Sequence, residues 1–311
     1  MRHQPFLNLN AGSAPAGSAF ETLRHHISSP CCAVTFAGVR CERAGFALAR
    51  RAPCAYVREV LDLTDHHRPA PRQPVFNVPT IVAMLSLAMV VIHVLRTYVL
   101  SEDMDIEVLG LFSFIPGRYD PAAEFHLPGG LGAELWTFVS YAFLHANWMH
   151  LGINLVWMLA FATPVARRFG PARFLAFFAV TAAAGAAAHL VTHADAMVPM
   201  IGASAVISGF MAAAVRFAFA PGASLSGRSL GNADRMPAQS LLEAFRDVRV
   251  LAFVGVWIGV NLLFGIGVSM PGAEDADVAW QAHMGGFFAG LLLFSLFDPV
   301  PRRVRKVKTA A

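Results

Sequence analysis

Six strongly apolar stretches run through most of this chain, and they limit the folds open to it more than any other feature. They cover residues 79–100, 148–166, 172–190, 204–219, 250–268 and 278–297. A helix needs roughly 20 apolar residues to cross a bilayer core of about 30 Å. Only 14% of the residues are charged, whereas soluble domains have about 25% charged residues. The sequence therefore predicts an all-α polytopic membrane protein, a bundle of six transmembrane helices.

Arginine and lysine are distributed unevenly among the segments that connect these stretches. They are concentrated in the first 72 residues, near residue 167, in residues 220–249 and in the last ten residues. The intervening loops 101–134 and 269–277 are acidic. Because loops rich in Lys and Arg stay in the cytoplasm, both termini are expected to be cytoplasmic, in a cell membrane such as the bacterial inner membrane. The net charge of +4 is small, and nucleic acid is not an expected partner.

A tail is expected at each end of the chain, on either side of the domain that holds the apolar stretches. Residues 1–75 show no sustained helical or strand period, and no methionine follows Met1 before Met84. We expect this segment to be a disordered cytoplasmic tail or the product of a mis-assigned start. Residues 76–298 are expected to form the six-helix domain, and residues 299–311 to form a basic cytoplasmic tail.

The fourth apolar stretch is short, and its first residues are unusual for a transmembrane helix. It runs for 16 residues from Ser204 to Phe219, which is about 24 Å of helix. Such a helix would begin inside the membrane, where non-helical backbone is tolerated only when it is buried in protein or lines a wet cavity. Ser204 would then face trapped water at the positive end of a helix dipole. The alternative is a serine packed at a close helix contact.

Polar side chains recur near the starts of the second, fourth and sixth stretches, which all begin on the same side of the membrane. These residues are His145, His150 and Asn154, then Ser204, then His283. Side chains that share a depth can meet, and polar groups inside a membrane are functional candidates by default. His150 and Asn154 are four residues apart and so lie on one helix face.

The same residues resemble the motifs of the rhomboid family of intramembrane serine proteases. The matching segments are Gly202-Ala203-Ser204, the pattern of His145, His150 and Asn154, and Ala282-His283-Met284-Gly285-Gly286. The resemblance covers residues 76–298 and implies a rhomboid-like six-helix bundle with a short fourth helix. It implies a Ser–His dyad in which Ser204 is the nucleophile and His283 is the general base.

The resemblance also implies how the rest of the site is used. The backbone N–H of Ser204 and the side chains of His150 and Asn154 would hold the oxyanion. Gly202 would line the substrate-binding loop, and His145 would stand behind it along a water path. The implied activity is endoproteolysis of single-span membrane proteins in the lipid bilayer, with no cofactor and no metal. The sequence departs from the family pattern at Ala205, often glycine, and at Ser208, often an aromatic that stacks on the base.

Two other functions stay open at this point. One is a catalytically inactive rhomboid-like protein that binds membrane segments. The other is a haem or metal protein that uses several histidines, namely His145, His150, His189, His193 and His283. Asn261 and Thr181 are expected to form helix-to-helix hydrogen bonds, and Arg96 to extend to the outer interface. The fifth span, tethered by flexible loops 220–249 and 269–277, is the expected gate.

Overall fold

The computed structural model describes residues 78–122, 127–220, 235–267 and 278–301. The predicted tail of residues 1–75 lies outside the described residues. Residues 302–311 of the predicted C-terminal tail also lie outside them. The described residues form helices and connecting segments, together with one antiparallel bridge between Phe114 and Met200.

The helices are labelled α1 to α9 in chain order. They are α1 Thr80–Tyr98, α2 Glu102–Phe112, α3 Gly130–Ser140, α4 Trp148–Phe169, α5 Pro171–Thr192, α6 Ser204–Ala218, α7 Leu241–Ala244, α8 Val248–Gly265 and α9 Trp280–Phe297. Five of the described helices, α1, α4, α5, α8 and α9, are long and apolar enough to cross a membrane. α6 is a shorter apolar helix of 15 residues. The predicted all-α polytopic fold, with a short fourth span, is confirmed.

Helix α4 changes its winding halfway along. Trp148–Trp157 is α-helical, Met158–Ala162 is π-helical and Thr163–Phe169 is α-helical again. Pro164 stands at the start of the last segment. Proline lacks an N–H and its ring crowds the preceding turn, so one wider turn accommodates it without ending the span.

Helix α6 is the centre of the bundle. Every residue from Ala205 to Phe217 is buried, and the aromatic rings of Phe174 and Phe210 stack at 4.7 Å between α5 and α6. A helix that is apolar on all sides must be covered by protein on all sides. The remaining spans therefore surround α6, and its first residue is held inside the protein.

Glycines let α9 approach α6 at backbone distance. A Cβ built on Gly286 would overlap the backbone of Ala205, and one built on Gly290 would overlap the backbone of Gly209. On α5, a Cβ on Gly185 would meet the Ala205 methyl. The Gly286 and Gly290 pair thus provides the close helix packing that its spacing predicts.

The expected role of Thr181 is wrong. Its hydroxyl donates to the carbonyls of Phe177 and Phe178, at 2.8 and 3.1 Å, on its own helix α5. Its methyl group lies against Gly209 of α6. A threonine inside a helix always has carbonyl groups of the preceding turn within reach, so burial does not oblige it to find a partner on another helix.

Arg96 does not extend to the outer interface as expected. Its guanidinium forms an ion pair with Asp105 of α2, with 2.6 Å between Nε and Oδ1. It also donates from Nη1 to the carbonyl of His145 at 3.1 Å. Arg96 therefore ties α1 to the α2 segment and to the residues that precede α4.

A second buried arginine joins the last turn of α4 to the end of α9. Arg168 binds both carboxylate oxygens of Asp298 at 2.8 Å, and Nη1 of Arg168 donates to the carbonyl of Met236 at 2.8 Å. Arg216 of α6 is 2% exposed and donates to the carbonyls of Gln239 and Leu291. The charges lie inside the protein because carbonyl and carboxylate oxygens satisfy their N–H groups.

The described part of the connection from α6 to α8 is not the flexible tether that the sequence suggested. Residues 221–234 lie outside the described residues. The following segment is held by the Met236 and Gln239 contacts, and Ser240 and Glu243 form a capping box at the start of α7. The described part of the segment is therefore fastened to the bundle. The second tether, residues 269–277, lies outside the described residues.

We expect Gly286→Ala to lower the apparent melting temperature of the purified protein in detergent. The added methyl would force α9 away from the Ala205 backbone, and overpacking of this kind costs about 1–3 kcal/mol. Gly259→Ala on α8 is the matched control, because a Cβ there meets nothing within 4 Å. An unchanged melting temperature for Gly286→Ala would contradict the close contact between α6 and α9.

Candidate active site

The segment that leads into α6 is held by backbone hydrogen bonds on both sides. Met200 exchanges hydrogen bonds with Phe114, at 2.8 and 3.1 Å, and Gly202 donates to the carbonyl of Tyr141 at 3.0 Å. Tyr141 is buried, and its hydroxyl donates to Ala182 of α5 at 2.9 Å. Met200 and Gly202 therefore have backbone partners although this segment is not helical, and buried non-helical backbone needs such partners.

Gly202 needs its missing side chain for two reasons. Its φ of 121° lies in a region that L side chains rarely adopt, and only glycine adopts it at no steric cost. A Cβ on Gly202 would also lie 2.7 Å from Nε2 of His150. The glycine thus lets the imidazole of His150 come down onto the loop directly before Ser204.

Ser204 is the first residue of α6, and it is half-buried. The residue before it, Ala203, is buried and provides no side-chain cap for the helix. The first backbone N–H groups of a helix have no partner within the helix, and together they favour a negative charge. The hydroxyl of Ser204 therefore stands beside donors suited to an oxyanion.

His283 lies in the first turn of α9, and its ring contacts Ser204. The distance from Nε2 of His283 to Oγ of Ser204 is 2.7 Å. This is an ordinary hydrogen-bond length between a hydroxyl and an imidazole nitrogen. The structure thus brings together the two residues that the sequence assigned as nucleophile and base.

The other ring nitrogen of His283 contacts Asn261, which the sequence did not mark as a residue of the site. Nδ1 of His283 lies 2.7 Å from Oδ1 of Asn261 on α8. Asn261 does form a helix-to-helix hydrogen bond, as expected, but its partner was not foreseen. The available signal was a single amide in a strongly apolar helix, 22 residues before the histidine that it meets.

His150 and Asn154 follow one another on the first turns of α4. Nδ1 of His150 accepts from the N–H of Ala146 at 3.4 Å, and this places the proton of the neutral ring on Nε2, the nitrogen beside Gly202. Asn154 is buried and donates from Nδ2 to the carbonyl of His150 at 2.9 Å. His150 thus contacts the loop that precedes Ser204, whereas the hydrogen bond of Asn154 lies within its own helix.

His145 lies behind His150 rather than against Ser204. It is fully buried, and its ring packs edge-on to that of His150 with 5.1 Å between centroids. Its carbonyl is the acceptor of the Arg96 bond. His145 thus contacts His150 and lies behind it as seen from Ser204.

The two departures from the family pattern have local partners in the structure. The methyl of Ala205 lies against Gly185 of α5. The hydroxyl of Ser208 donates to the carbonyl of Ser204 at 2.7 Å, one turn earlier on the same helix. Neither side chain obstructs the contact between Ser204 and His283.

The remaining histidines of the metal hypothesis lie elsewhere. His189 and His193 stack on each other at 4.6 Å between ring centroids, at the end of α5. Both nitrogens of His283 are engaged, by Ser204 and by Asn261. Within the described ranges, no group of three or more His, Cys, Asp or Glu side chains is arranged to hold a metal ion.

Comparison with known proteins agrees with this geometry. The Rhomboid domain family matches residues 132–298, a range that contains most of α3, all of α4 to α9, and His145, His150, Asn154, Ser204, Asn261 and His283. A comparison with curated proteins gave no match. The match extends over more than half of the chain, and the chain therefore belongs to the rhomboid family.

Proposed function

We propose that this protein is an intramembrane serine endopeptidase that cleaves single-span membrane proteins. The observation that carries the proposal is the 2.7 Å contact between Oγ of Ser204 and Nε2 of His283. A serine becomes a nucleophile when an adjacent base can take its proton, and this contact has the geometry for that transfer. The rhomboid family includes proteases and inactive relatives, so the site chemistry has to distinguish them.

The reaction proceeds in two halves. Oγ of Ser204 attacks the scissile carbonyl carbon while its proton passes to Nε2 of His283. When the C–N bond breaks, His283 gives that proton to the leaving amine, and an acyl-enzyme remains on Ser204. A water molecule then gives a proton to His283 and attacks the ester carbon, and His283 returns that proton to Oγ of Ser204 as the C–Oγ bond breaks and the acid product leaves.

The negative oxygen that forms during each attack needs donors. The proposed donors are the backbone N–H of Ser204, Nε2–H of His150 and the free N–H of the Asn154 amide. Support comes from the position of His150 against Gly202 and from the location of Ser204 at a helix N-terminus. Such preorganised donors are commonly the largest catalytic contribution.

The position of Ser204 at the start of a buried helix bears on which substrates it can reach, and the charge distribution bears on the membrane orientation. A serine at the end of a buried helix is reached by a chain that has left its helical conformation. We therefore propose cleavage near the outer face of the membrane, at small residues in a substrate segment with helix-breaking character. The distribution of Lys and Arg supports the proposal that both termini are cytoplasmic and that the spans lie in a cell membrane.

An inactive membrane-segment binder is the competing function within the family. Such a protein has no need of a serine and a histidine at hydrogen-bond distance, or of a glycine that admits His150 to the loop. The retention of Ser204, His283, His150 and Asn154 in this arrangement favours catalysis. Labelling and cleavage rates of site variants distinguish a protease from a protein that only binds membrane segments.

A fluorophosphonate probe should label the wild-type protein in detergent, and Ser204→Ala should abolish the labelling. His283→Ala should slow labelling by about 10²- to 10⁴-fold, the range for loss of a general base. Ser208→Ala is the matched control, since it removes a hydroxyl one turn away, and it should keep wild-type labelling. Labelling of Ser204→Ala at the wild-type rate would overturn the proposed function.

His150→Ala should lower the cleavage rate of a single-span test protein by about 10²- to 10³-fold, as expected for one lost oxyanion donor. His193→Ala is the control, because it removes an imidazole that contacts His189 and Thr192 rather than the Ser204 loop. Equal rates for the two variants would remove His150 from the oxyanion site.

We further propose that substrate enters between α4 and α8. Along the described helix α8, three residues are buried, Val250, Val254 and Asn261. Between α4 and α8, the rings of Phe161 and Phe253 lie 5.9 Å apart. A span with so little buried surface costs less to displace than α4, α5 or α9, which bury more of their residues.

A thiol cross-link between Phe161→Cys and Phe253→Cys should stop cleavage of a single-span test protein. The background would carry serine at the four native cysteines. Labelling by the small fluorophosphonate should continue, because the cross-link leaves the Ser204 and His283 contact intact. Each single-cysteine variant, treated with the same reagent, is the control. Unchanged cleavage in the cross-linked protein would reject this route.

A further inference from the structure

Asn261 is the feature of the structure that the proposed chemistry does not yet use. It lies near the C-terminal end of α8, in a span whose other buried residues are two valines. It is 3% exposed and contacts His283 across 22 positions of sequence. A buried amide in an apolar helix is costly unless its groups are bonded, so its partners indicate its role.

The orientation of the Asn261 amide follows from its second partner. Nδ2 of Asn261 donates to the carbonyl of Trp257 at 2.8 Å, one turn earlier on α8. A carbonyl can only accept, so the NH₂ group must face Trp257. The oxygen Oδ1 is then the atom that faces His283, and Oδ1 can only accept.

The orientation of the amide determines the tautomer of His283. Because Oδ1 of Asn261 carries no proton, the proton of the neutral ring lies on Nδ1, which donates at 2.7 Å. Nε2 then carries a lone pair, and it is the nitrogen 2.7 Å from Oγ of Ser204. This is the tautomer that a base needs in order to take the serine proton.

We propose that Asn261 is a positioning residue that holds His283 in the tautomer and ring orientation in which Nε2 faces Ser204. This inference rests on the proposed function, and it adds a third residue to the Ser–His pair. The three residues come from three helices, α6, α8 and α9. The order of contact is Ser204, His283, Asn261, and Trp257 supports the last of them through its carbonyl.

The same contact acts after the proton has moved. Once Nε2 has taken the serine proton, the ring is an imidazolium that donates from both nitrogens. Oδ1 of Asn261 continues to accept from Nδ1–H, and the amide dipole favours the positive charge. A neutral amide does this without the desolvation cost of a buried carboxylate.

Through Asn261, helix α8 positions the catalytic base. If α8 moves away from the bundle, the ring of His283 loses the acceptor on Nδ1. The base would then be ready only while the C-terminal part of α8 is seated against α9. The same helix thus both admits substrate and completes the site.

The test compares Asn261→Leu, Asn261→Asp and Leu262→Ala by the rate of fluorophosphonate labelling over a range of probe concentrations. Asn261→Leu removes the acceptor at similar volume, and kinact should fall by about 10- to 100-fold, part of the contribution of a general base. KI and the final labelled fraction should not change, because Ser204 and its loop are untouched. Asn261→Asp supplies an oxygen acceptor and should stay within a few fold of wild type.

Leu262→Ala is the matched control, because the side chain is the next residue of α8 and is 52% exposed. It should leave both constants at their wild-type values. A loss of packing in Asn261→Leu would instead lower the labelled fraction, and Asn261→Asp would not restore it. Wild-type kinact in Asn261→Leu would overturn the inference.

A spectroscopic measurement tests the inference without reference to activity. In protein labelled with ¹⁵N-histidine, the His283 resonances, assigned by their loss in His283→Phe, should report protonation at Nδ1 in the wild type. Asn261→Leu should introduce the Nε2-protonated form, and Asn261→Asp should not. The Nδ1-protonated form at wild-type population in Asn261→Leu would refute the inference, whatever the labelling rates.

The two proposals fail in different ways. If Ser204→Ala labels like the wild type, the protease function fails, and the histidine spectra still decide whether Asn261 sets the tautomer. If Ser204→Ala abolishes labelling while Asn261→Leu keeps the wild-type kinact and spectrum, the protease function stands and the inference about Asn261 fails.

Discussion

The contact between α6 and α9 is the constraint on which the rest of the structure depends. Ser204 and His283 are short side chains on separate helices, and a hydrogen bond of 2.7 Å requires their backbones to be close. Gly286 and Gly290 provide that approach because their Cα atoms lie against the backbones of Ala205 and Gly209. Close packing is also the main source of helix association in a bilayer, where burial of apolar groups gives little gain. The same glycines therefore serve stability and site geometry.

A second constraint is the non-helical backbone before α6. The loop can remain non-helical inside the bundle because Phe114 and Tyr141 bond to Met200 and Gly202. Tyr141 is anchored in turn to α5. The long segment between α1 and α4 therefore does more than connect two spans. It supplies the acceptors and donors that water would supply to an exposed loop, and Arg96 fastens it to α1.

The sequence predicted the spans because apolar length is a property of a single segment, and it predicted the candidate dyad through motifs that resemble those of the rhomboid family. Apolar length sets each helix, and Ser204, His150 and His283 share the ends of spans that begin on one side. Partners across helices were harder to predict. Thr181 found acceptors on its own helix, and Arg96 found Asp105. Neither partner can be predicted from a local sequence pattern, because each depends on which oxygen atom lies nearest once the helices have packed.

Asn261 is another residue whose partner on a neighbouring helix could not be predicted from its own segment. Its position on an apolar helix marked it as polar and buried, but its depth had to be compared with that of His283 on an antiparallel neighbour. The fifth span runs in the opposite direction to the sixth, so the C-terminal end of α8 meets the N-terminal end of α9. A residue late in one span and a residue early in the next are then level, and the 2.7 Å contact follows.

The strength of that contact bears on how α8 could serve both substrate access and catalysis. Interhelical hydrogen bonds in membrane proteins contribute about 0.6 kcal/mol on average and up to about 1.7 kcal/mol. A free energy of about 1.4 kcal/mol corresponds to a tenfold change in population, so such a bond biases α8 toward the seated position without locking it there. The small apolar cluster around Val250 and Val254 holds the other end of the helix. Under the proposed mechanism, a bond of this size would be strong enough to orient a ring that has already been placed by α9, and weak enough to break when a substrate segment passes.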